Sequence, residues 1–112
     1  MRSVNHSHRP TQPRRPVTLA LLIGLLAIAG CGNTLYSIQA NSASGKLEEA
    51  RELGAEQSAP YQYFYAKEHL KKAQTEAAEA DYGDAVDLAE TSEEYADKAV
   101  RLARDARSRA AR

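Results

Sequence analysis

Small side chains recur at steps of four and three residues through residues 82–110, and this spacing limits the fold more strongly than any other feature. The series is Ala85, Ala89, Ser92, Ala96, Ala99, Ala103, Ala106 and Ala110. A step that averages about 3.5 residues keeps one face of an α-helix turned toward a partner helix. Beside this seam, Leu88, Tyr95 and Leu102 follow one another at intervals of seven residues, after Tyr82. Because alanine buries little area, these larger neighbours are expected to supply most of the hydrophobic stabilisation.

Two earlier segments have the same helical spacing, and no stretch alternates apolar and polar residues for long enough to predict a strand. The first seam is Tyr36, Ala40, Ala43, Leu47, Ala50 and Gly54, and the second is Tyr63, Ala66, Leu70, Ala73, Ala77 and Ala80. We predict helices over about 34–54, 60–80 and 82–110. The poor helix formers from Asn41 to Gly45 favour an interruption or a late start in the first helix.

Residues between the predicted helices suit helix ends. Gly54 is placed to end the first helix, and Ser58 to cap the second, with Pro60 in its first turn. Asp81 ends one helix and caps the next, with Asp84 in the acidic first turn. Such short connections imply antiparallel neighbours. The predicted fold class is all-α: an antiparallel three-helix bundle or a helical hairpin with a looser first helix, of modest stability and with self-association left open.

The turn Ala80-Asp81-Tyr82-Gly83-Asp84-Ala85 resembles the inter-helix turn of a tetratricopeptide repeat, where glycine is usual at the position of Ala80. A repeat protein would show further copies at a period of about 34 residues, and the sequence has none. The resemblance therefore implies the same helix–turn–helix solution in a chain that is not a repeat protein.

An apolar run from Val17 to Ile28 follows a basic opening and leads to the single cysteine, Cys31. A basic n-region (residues 1–16), a short apolar h-region (residues 17–28) and small residues at a cleavage site define a secretory signal. The run is shorter than the roughly 20 residues of a membrane-spanning helix. The alternative interpretation is an uncleaved membrane anchor with an incidental cysteine.

The tetrapeptide Ile28-Ala29-Gly30-Cys31 resembles the signal of bacterial lipoproteins, in which an aliphatic residue and two small residues precede a lipidated cysteine. The resemblance implies that residues 1–30 are removed and that Cys31 carries a covalent lipid. Residues 31–33 would then form a short tether ahead of a helical domain over 34–112. Because Gly32 stands where an inner-membrane lipoprotein has Asp, the resemblance implies the inner leaflet of the outer membrane, facing the periplasm.

Together with the alanine-rich helices, this signal looks like a family of small bacterial envelope lipoproteins. That family is catalogued only as a domain of unknown function, and in some members an OmpA-like peptidoglycan-binding domain follows. The resemblance covers about residues 31–108. No OmpA-like stretch follows the match in this sequence, so the route to the cell wall that such a domain provides is not expected.

Charge and composition exclude several function classes. Four of the fifteen Lys and Arg residues lie in residues 1–30, so residues 31–112 keep 11 basic residues against 15 acidic ones, a net charge of −4. A nucleic-acid binder would carry a basic excess. His69 is the single histidine after residue 30, and no phosphate loop, nucleophile elbow or zinc motif is present. We expect no catalytic residue, no metal site and no cofactor apart from the lipid on Cys31.

Two groups of residues are candidates for interaction. The last third of the third helix is basic, with Lys98, Arg101, Arg104, Arg107, Arg109 and Arg112. If the first helix leads away from the membrane, the basic end points into the periplasm, toward peptidoglycan or an acidic protein. The second group is aromatic, with Tyr61, Tyr63, Phe64 and Tyr65, and either stacks on a partner or packs the open end of the bundle.

These observations predict a membrane-anchored, non-enzymatic lipoprotein of the bacterial cell envelope that acts as a structural or protein-interaction module. The alternative is an accessory subunit of an envelope enzyme or transport complex, which would contribute helices but no chemistry.

Overall fold

The computed structural model describes Ser3 and residues 15–112, without the side chains of Arg15 and of residues 25–30. This part of the chain is all-helical and contains no strand. Its helices are α1 (Arg15–Glu52), α2 (Ala55–Ser58), α3 (Pro60–Ala78) and α4 (Tyr82–Ala110). Most of the predicted n-region, residues 1–16, lies outside the described residues.

Helix α1 begins well before the expected start at residue 34. Its 38 residues extend for about 57 Å and pass through Cys31 and the Asn41–Gly45 stretch without the expected interruption. Asn, Ser and Gly lower helix propensity by only about 0.5–1 kcal/mol each, whereas Ala43 and Leu47 are buried within this stretch and beside it. Packing therefore outweighs propensity. Removal of residues 1–30 stays a prediction.

Within the described residues, no helix combines the length and the apolar character that a membrane crossing requires.

Helices α1 and α4 lie side by side and run in the same direction. Lys46 Nζ of α1 lies 3.5 Å from an Asp97 carboxylate oxygen of α4. Further toward the C-terminal ends of both helices, Arg107 donates a hydrogen bond to the Glu52 carbonyl oxygen. Helix α3 is antiparallel to both. The chain thus reverses direction between α1 and α3 and again between α3 and α4, which brings the C-terminal ends of α1 and α4 together.

Helix α4 is the central helix, in contact with both α1 and α3 along its length. Its seam is buried as predicted from Ala85 to Ala103, whereas Ala106 is half-buried and Ala110 is exposed. The larger residues beside the seam contribute less than expected, since Leu102 is 41% exposed. Burial of large side chains comes instead from the seam positions Leu47, Tyr63 and Leu70 and from Val100.

Two left-handed residues separate the helices. Gly54 has φ 82° and follows α1, as its position predicts. Ala80, expected as the last residue of the second seam, instead leaves the helix with φ 63° and is exposed. The Asp81 N–H donates to the Glu76 carbonyl and the Ala80 N–H to the Ala77 carbonyl. This is a Schellman motif, in which glycine is the usual residue at the left-handed position.

The caps agree with the sequence at one helix and differ at another. Asp81 caps α4, since its carboxylate accepts a hydrogen bond from the Asp84 N–H at 3.5 Å. Ser58 does not cap α3, because the short helix α2 occupies the linker and the Ser58 hydroxyl donates back to the Gly54 carbonyl. Ala59 takes the cap position, and Pro60 begins α3.

Candidate functional site

Cys31 lies on α1 and is exposed to solvent. The neighbouring Gly32 packs against the start of α4, where a Cβ added to the glycine would lie 3.1 Å from the Cβ of Tyr82. Cys31 therefore sits at the same end of the molecule as the α3–α4 turn. Ile28, Ala29 and Gly30 belong to α1, and their side chains lie outside the described residues.

The aromatic residues predicted as one group divide between the core and the surface. Tyr63 belongs to the seam of α3 and is buried. Burial of its ring, with the Glu56 carboxylate as a second cause, raises the pKa of the Tyr63 phenol. Tyr61 and Phe64 are 62% and 45% exposed. The heptad spacing accounts for this division, because Tyr63 is the residue in register with Ala66 and Leu70.

The surface members form an aromatic face that comprises Tyr61, Phe64, Tyr65, His69 and Tyr95. The Tyr65 ring lies between those of His69 and Tyr95, with ring centroids 4.1 Å and 4.2 Å away. Tyr61 stands one turn from Tyr65, with centroids 5.6 Å apart. Stacked and tilted pairs at such distances stabilise by about 0.5–1.5 kcal/mol each beyond area burial. The face is thus partly held in place before any partner arrives.

The aromatic face borders a shallow apolar hollow lined by Pro60, Tyr61, Phe64, Tyr65, Glu68 and His69. The His69 Nδ1 atom lies 2.9 Å from the Tyr65 carbonyl oxygen. Because a carbonyl only accepts, Nδ1 is the donor in this contact. His69 is half-buried, with its ring against that of Tyr65. The residues that line the hollow supply no hydroxymethyl or thiol nucleophile.

Cations flank the aromatic face on both helices. The Lys98 ammonium lies 4.3 Å from the centroid of Tyr95, and the Lys67 ammonium lies 5.9 Å from that of Phe64. Lys98 also donates to the Glu94 carboxylate at 2.6 Å, and this hydrogen bond raises the pKa of Lys98. The sequence placed Lys98 with the basic end, whereas the structure places it beside the aromatic face.

The rest of the basic end is largely engaged within the molecule. Arg101 pairs with Asp97, as its i,i+4 spacing predicts, and Arg104 pairs with Glu49 of α1. Arg107 donates to the Glu52 carbonyl. Arg109 and Arg112 form no ion pair with any described residue, although Asp105 precedes Arg109 by one turn. The basic end therefore presents three cations that no described carboxylate compensates, Arg107, Arg109 and Arg112, instead of six.

Three carboxylates converge at the other end of α4. Oxygen atoms of Glu76, Asp81 and Asp84 all lie within 4.8 Å of one another. This grouping depends on the Schellman turn, which returns Asp81 toward Glu76. Asp81 and Asp84 are exposed, and Asp81 already serves as the cap of α4.

Comparison with known proteins gives a family and no further relatives. No curated protein and no solved structure matches the chain. The model of one family matches residues 39–112, which include the end of α1 and all of α2, α3 and α4. Because this match spans well over half of the sequence, the chain belongs to the family described as Domain of unknown function (DUF4398).

Proposed function

We propose that this chain is a lipid-anchored, non-enzymatic protein of the bacterial cell envelope, in which a three-helix bundle serves as an interaction module. The observation that carries the proposal is the order of residues around Cys31. A basic opening, a short apolar run and two small residues precede the single cysteine, as a lipoprotein signal requires. The exposure of Cys31 supports the proposal, because the lipid-transferring enzyme must reach the thiol.

The arrangement of the helices gives an anchored bundle a direction. Gly32 packs against Tyr82 near the anchor, and Arg107 reaches Glu52 at the far end. Because α4 has 29 residues, it would carry Arg109 and Arg112 about 40 Å from the anchored end. The uncompensated cations are then available to anionic peptidoglycan or to an acidic protein in the periplasm.

The proposed absence of catalysis rests on the side chains of the residues that follow the predicted signal. His69, the best candidate for a base, is committed to the Tyr65 carbonyl through Nδ1 and lies against the Tyr65 ring. An aromatic face of this kind suits stacking on a partner surface. Expression of the His69→Ala variant in a deletion strain tests this part. Failure of the variant to restore the parent phenotype, at normal protein levels, would favour an enzyme.

The anchor is tested by replacing Cys31 with Ala and following membrane fractionation and incorporation of a clickable fatty acid. Ser37→Ala is the matched control, since Ser37 is an exposed residue of the same helix. We expect Cys31→Ala to lose both the label and the membrane fraction, and Ser37→Ala to keep them. An unlabelled parent protein, or a Cys31→Ala variant that stays with the membrane, would refute the lipoprotein proposal.

The outer-membrane location is tested at Gly32. Gly32→Asp introduces the residue that retains lipoproteins at the inner membrane, and we expect it to move the protein there. Any side chain at this position also meets Tyr82. Gly32→Asn has the same bulk as Gly32→Asp without the charge, and is expected to stay in the outer membrane. Equal sorting of both variants would remove the argument for the outer membrane.

The partner is sought by crosslinking and by sedimentation with isolated peptidoglycan. We expect the parent chain to sediment with peptidoglycan and a doubly reversed variant, Arg109→Glu with Arg112→Glu, to lose this binding. Replacement of Lys71 and Lys72 by Glu is the control, because these exposed cations lie on α3 away from the basic end. Co-purification with one envelope complex in fixed stoichiometry would instead favour an accessory subunit.

A further inference from the structure

Two large apolar side chains next to Cys31 do not contribute to the core. Leu35 is 49% exposed and Ile38 is 61% exposed. With Cys31 they follow the helical steps of four and three residues, and together with Thr34 the three residues line a shallow, mainly apolar hollow. We call Cys31, Leu35 and Ile38 the apolar stripe. Such exposure of aliphatic residues has a cost in water, so the stripe needs a partner.

The stripe lies on a side of α1 that the other helices leave exposed. At about 100° per residue, its centre lies about 120° around α1 from the face that carries Gly32, Tyr36 and Ala43. That face packs against the other helices, because Ala43 is buried and Gly32 meets Tyr82. The packing of the three helices therefore leaves Leu35 and Ile38 exposed.

The length of the stripe distinguishes a lipid surface from a second copy of the chain. Continuing the same steps along α1 leads to Ser42, Gly45 and Glu49, so the apolar character ends at Ile38. The stripe thus spans the eight residues from Cys31 to Ile38, a rise of about 10 Å. The stripe therefore lies entirely at the end of α1 that carries Cys31, the proposed site of the lipid. A helical dimer would need a seam that continues along the helix.

From these observations we infer that Leu35 and Ile38 insert into the lipid surface beside the lipidated Cys31, so that the anchored protein leans toward this side of α1. The inference rests on the proposed lipid anchor and goes beyond it, because it assigns a second membrane contact made by side chains. The anchored protein then has one preferred orientation on the bilayer instead of turning freely about its lipid.

Tryptophan fluorescence tests this contact directly, since the chain has no tryptophan of its own. Leu35→Trp, Ile38→Trp and Ser37→Trp are produced as full chains and purified from membranes. They are then reconstituted into phosphatidylethanolamine–phosphatidylglycerol vesicles with and without brominated acyl chains. Ser37 lies between the other two along α1, but about 130° around the helix from the stripe. It is therefore the matched control, and circular dichroism verifies that each variant keeps its helices.

We expect Trp emission at positions 35 and 38 to shift to the blue and to lose intensity with brominated lipid, and emission at position 37 to do neither. Equal quenching at all three positions, or quenching at none, overturns the inference. A blue shift without quenching also overturns it, because a protein surface would then cover the stripe. Mass spectrometry of the same samples tests the anchor separately: an unlipidated Cys31 refutes the proposed function, and the inference with it.

Discussion

Leu70 is one of the few large side chains in a core that is otherwise built mainly from alanine, and its replacement by Ala should be unusually costly. The side chain is 8% exposed, on the face of α3 that packs against the other helices. The alanines of the seams cannot extend into the space that its truncation leaves. We therefore expect little relaxation of the site, which favours the upper half of the range known for buried leucines.

The magnitude follows from burial and from the cavity. Replacement of a buried Leu by Ala costs about 2–5 kcal/mol, and we expect about 3–4 kcal/mol for Leu70→Ala. A domain of about 80 residues has a total stability of about 4–12 kcal/mol. The same substitution at Leu102, which is 41% exposed on α4, removes much less buried area and leaves no enclosed cavity. We expect about 1 kcal/mol for Leu102→Ala.

Urea unfolding followed by far-ultraviolet circular dichroism measures both variants against the parent chain. A loss of about 3 kcal/mol lowers the melting temperature of a domain of this size by about 12–24 °C, so thermal unfolding provides a second measurement. Similar losses for Leu70→Ala and Leu102→Ala would refute the reasoning. They would mean that stability does not depend on the few large residues of the core.

Three further substitutions test the turn, a buried phenol and the α3–α4 contact. Ala80→Gly should raise the melting temperature by a few degrees, because it removes a left-handed alanine that costs about 1 kcal/mol, partly offset by the flexibility of glycine in the unfolded chain; a lower melting temperature would contradict the Schellman turn. The raised pKa of Tyr63 gives stability that is complete below the ordinary phenol pKa of about 10 and is lost as pH rises through the raised value. Stability measured across this alkaline range should therefore fall less in Tyr63→Phe than in the parent. Ser92→Ala removes the buried hydrogen bond of 2.7 Å to the Ala66 carbonyl, but gains helix propensity, so denaturant unfolding should show a loss of at most about 1 kcal/mol.

Hydrophobic spacing predicted the helices and most of their buried faces. The seam positions from Ala85 to Ala103 are buried, and so are Tyr63, Leu70 and Leu47. Such positions follow from the period of the helix, which is a local property of the sequence. The cap at Asp81 is local as well, because it depends on a single hydrogen bond over three residues.

Features that depend on how the helices lie against one another were not predictable in the same way. Glu49 and Arg104 are 55 positions apart, and only the register between α1 and α4 brings them together. The division of the aromatic residues into buried Tyr63 and exposed Phe64 has a local signal in the seam. The contact of Tyr95 with the aromatic face has no local signal in the sequence, because Tyr95 belongs to α4. Ala80 was assigned to a helix since its spacing fits, whereas its conformation is set by the turn.

The ion pairs of the basic end do not prevent it from binding a partner. The side chains of Arg101 and Arg104 remain 62% exposed in their contacts with Asp97 and Glu49. Exposed pairs of this kind stabilise a protein by only about 0–1 kcal/mol, so an anionic polymer could displace them at small cost. Arg109 and Arg112 would make the first contact, because they have no such pair within the described residues. Reversal of these two charges should therefore reduce binding more than reversal of Arg101 and Arg104, which must first leave their carboxylate partners.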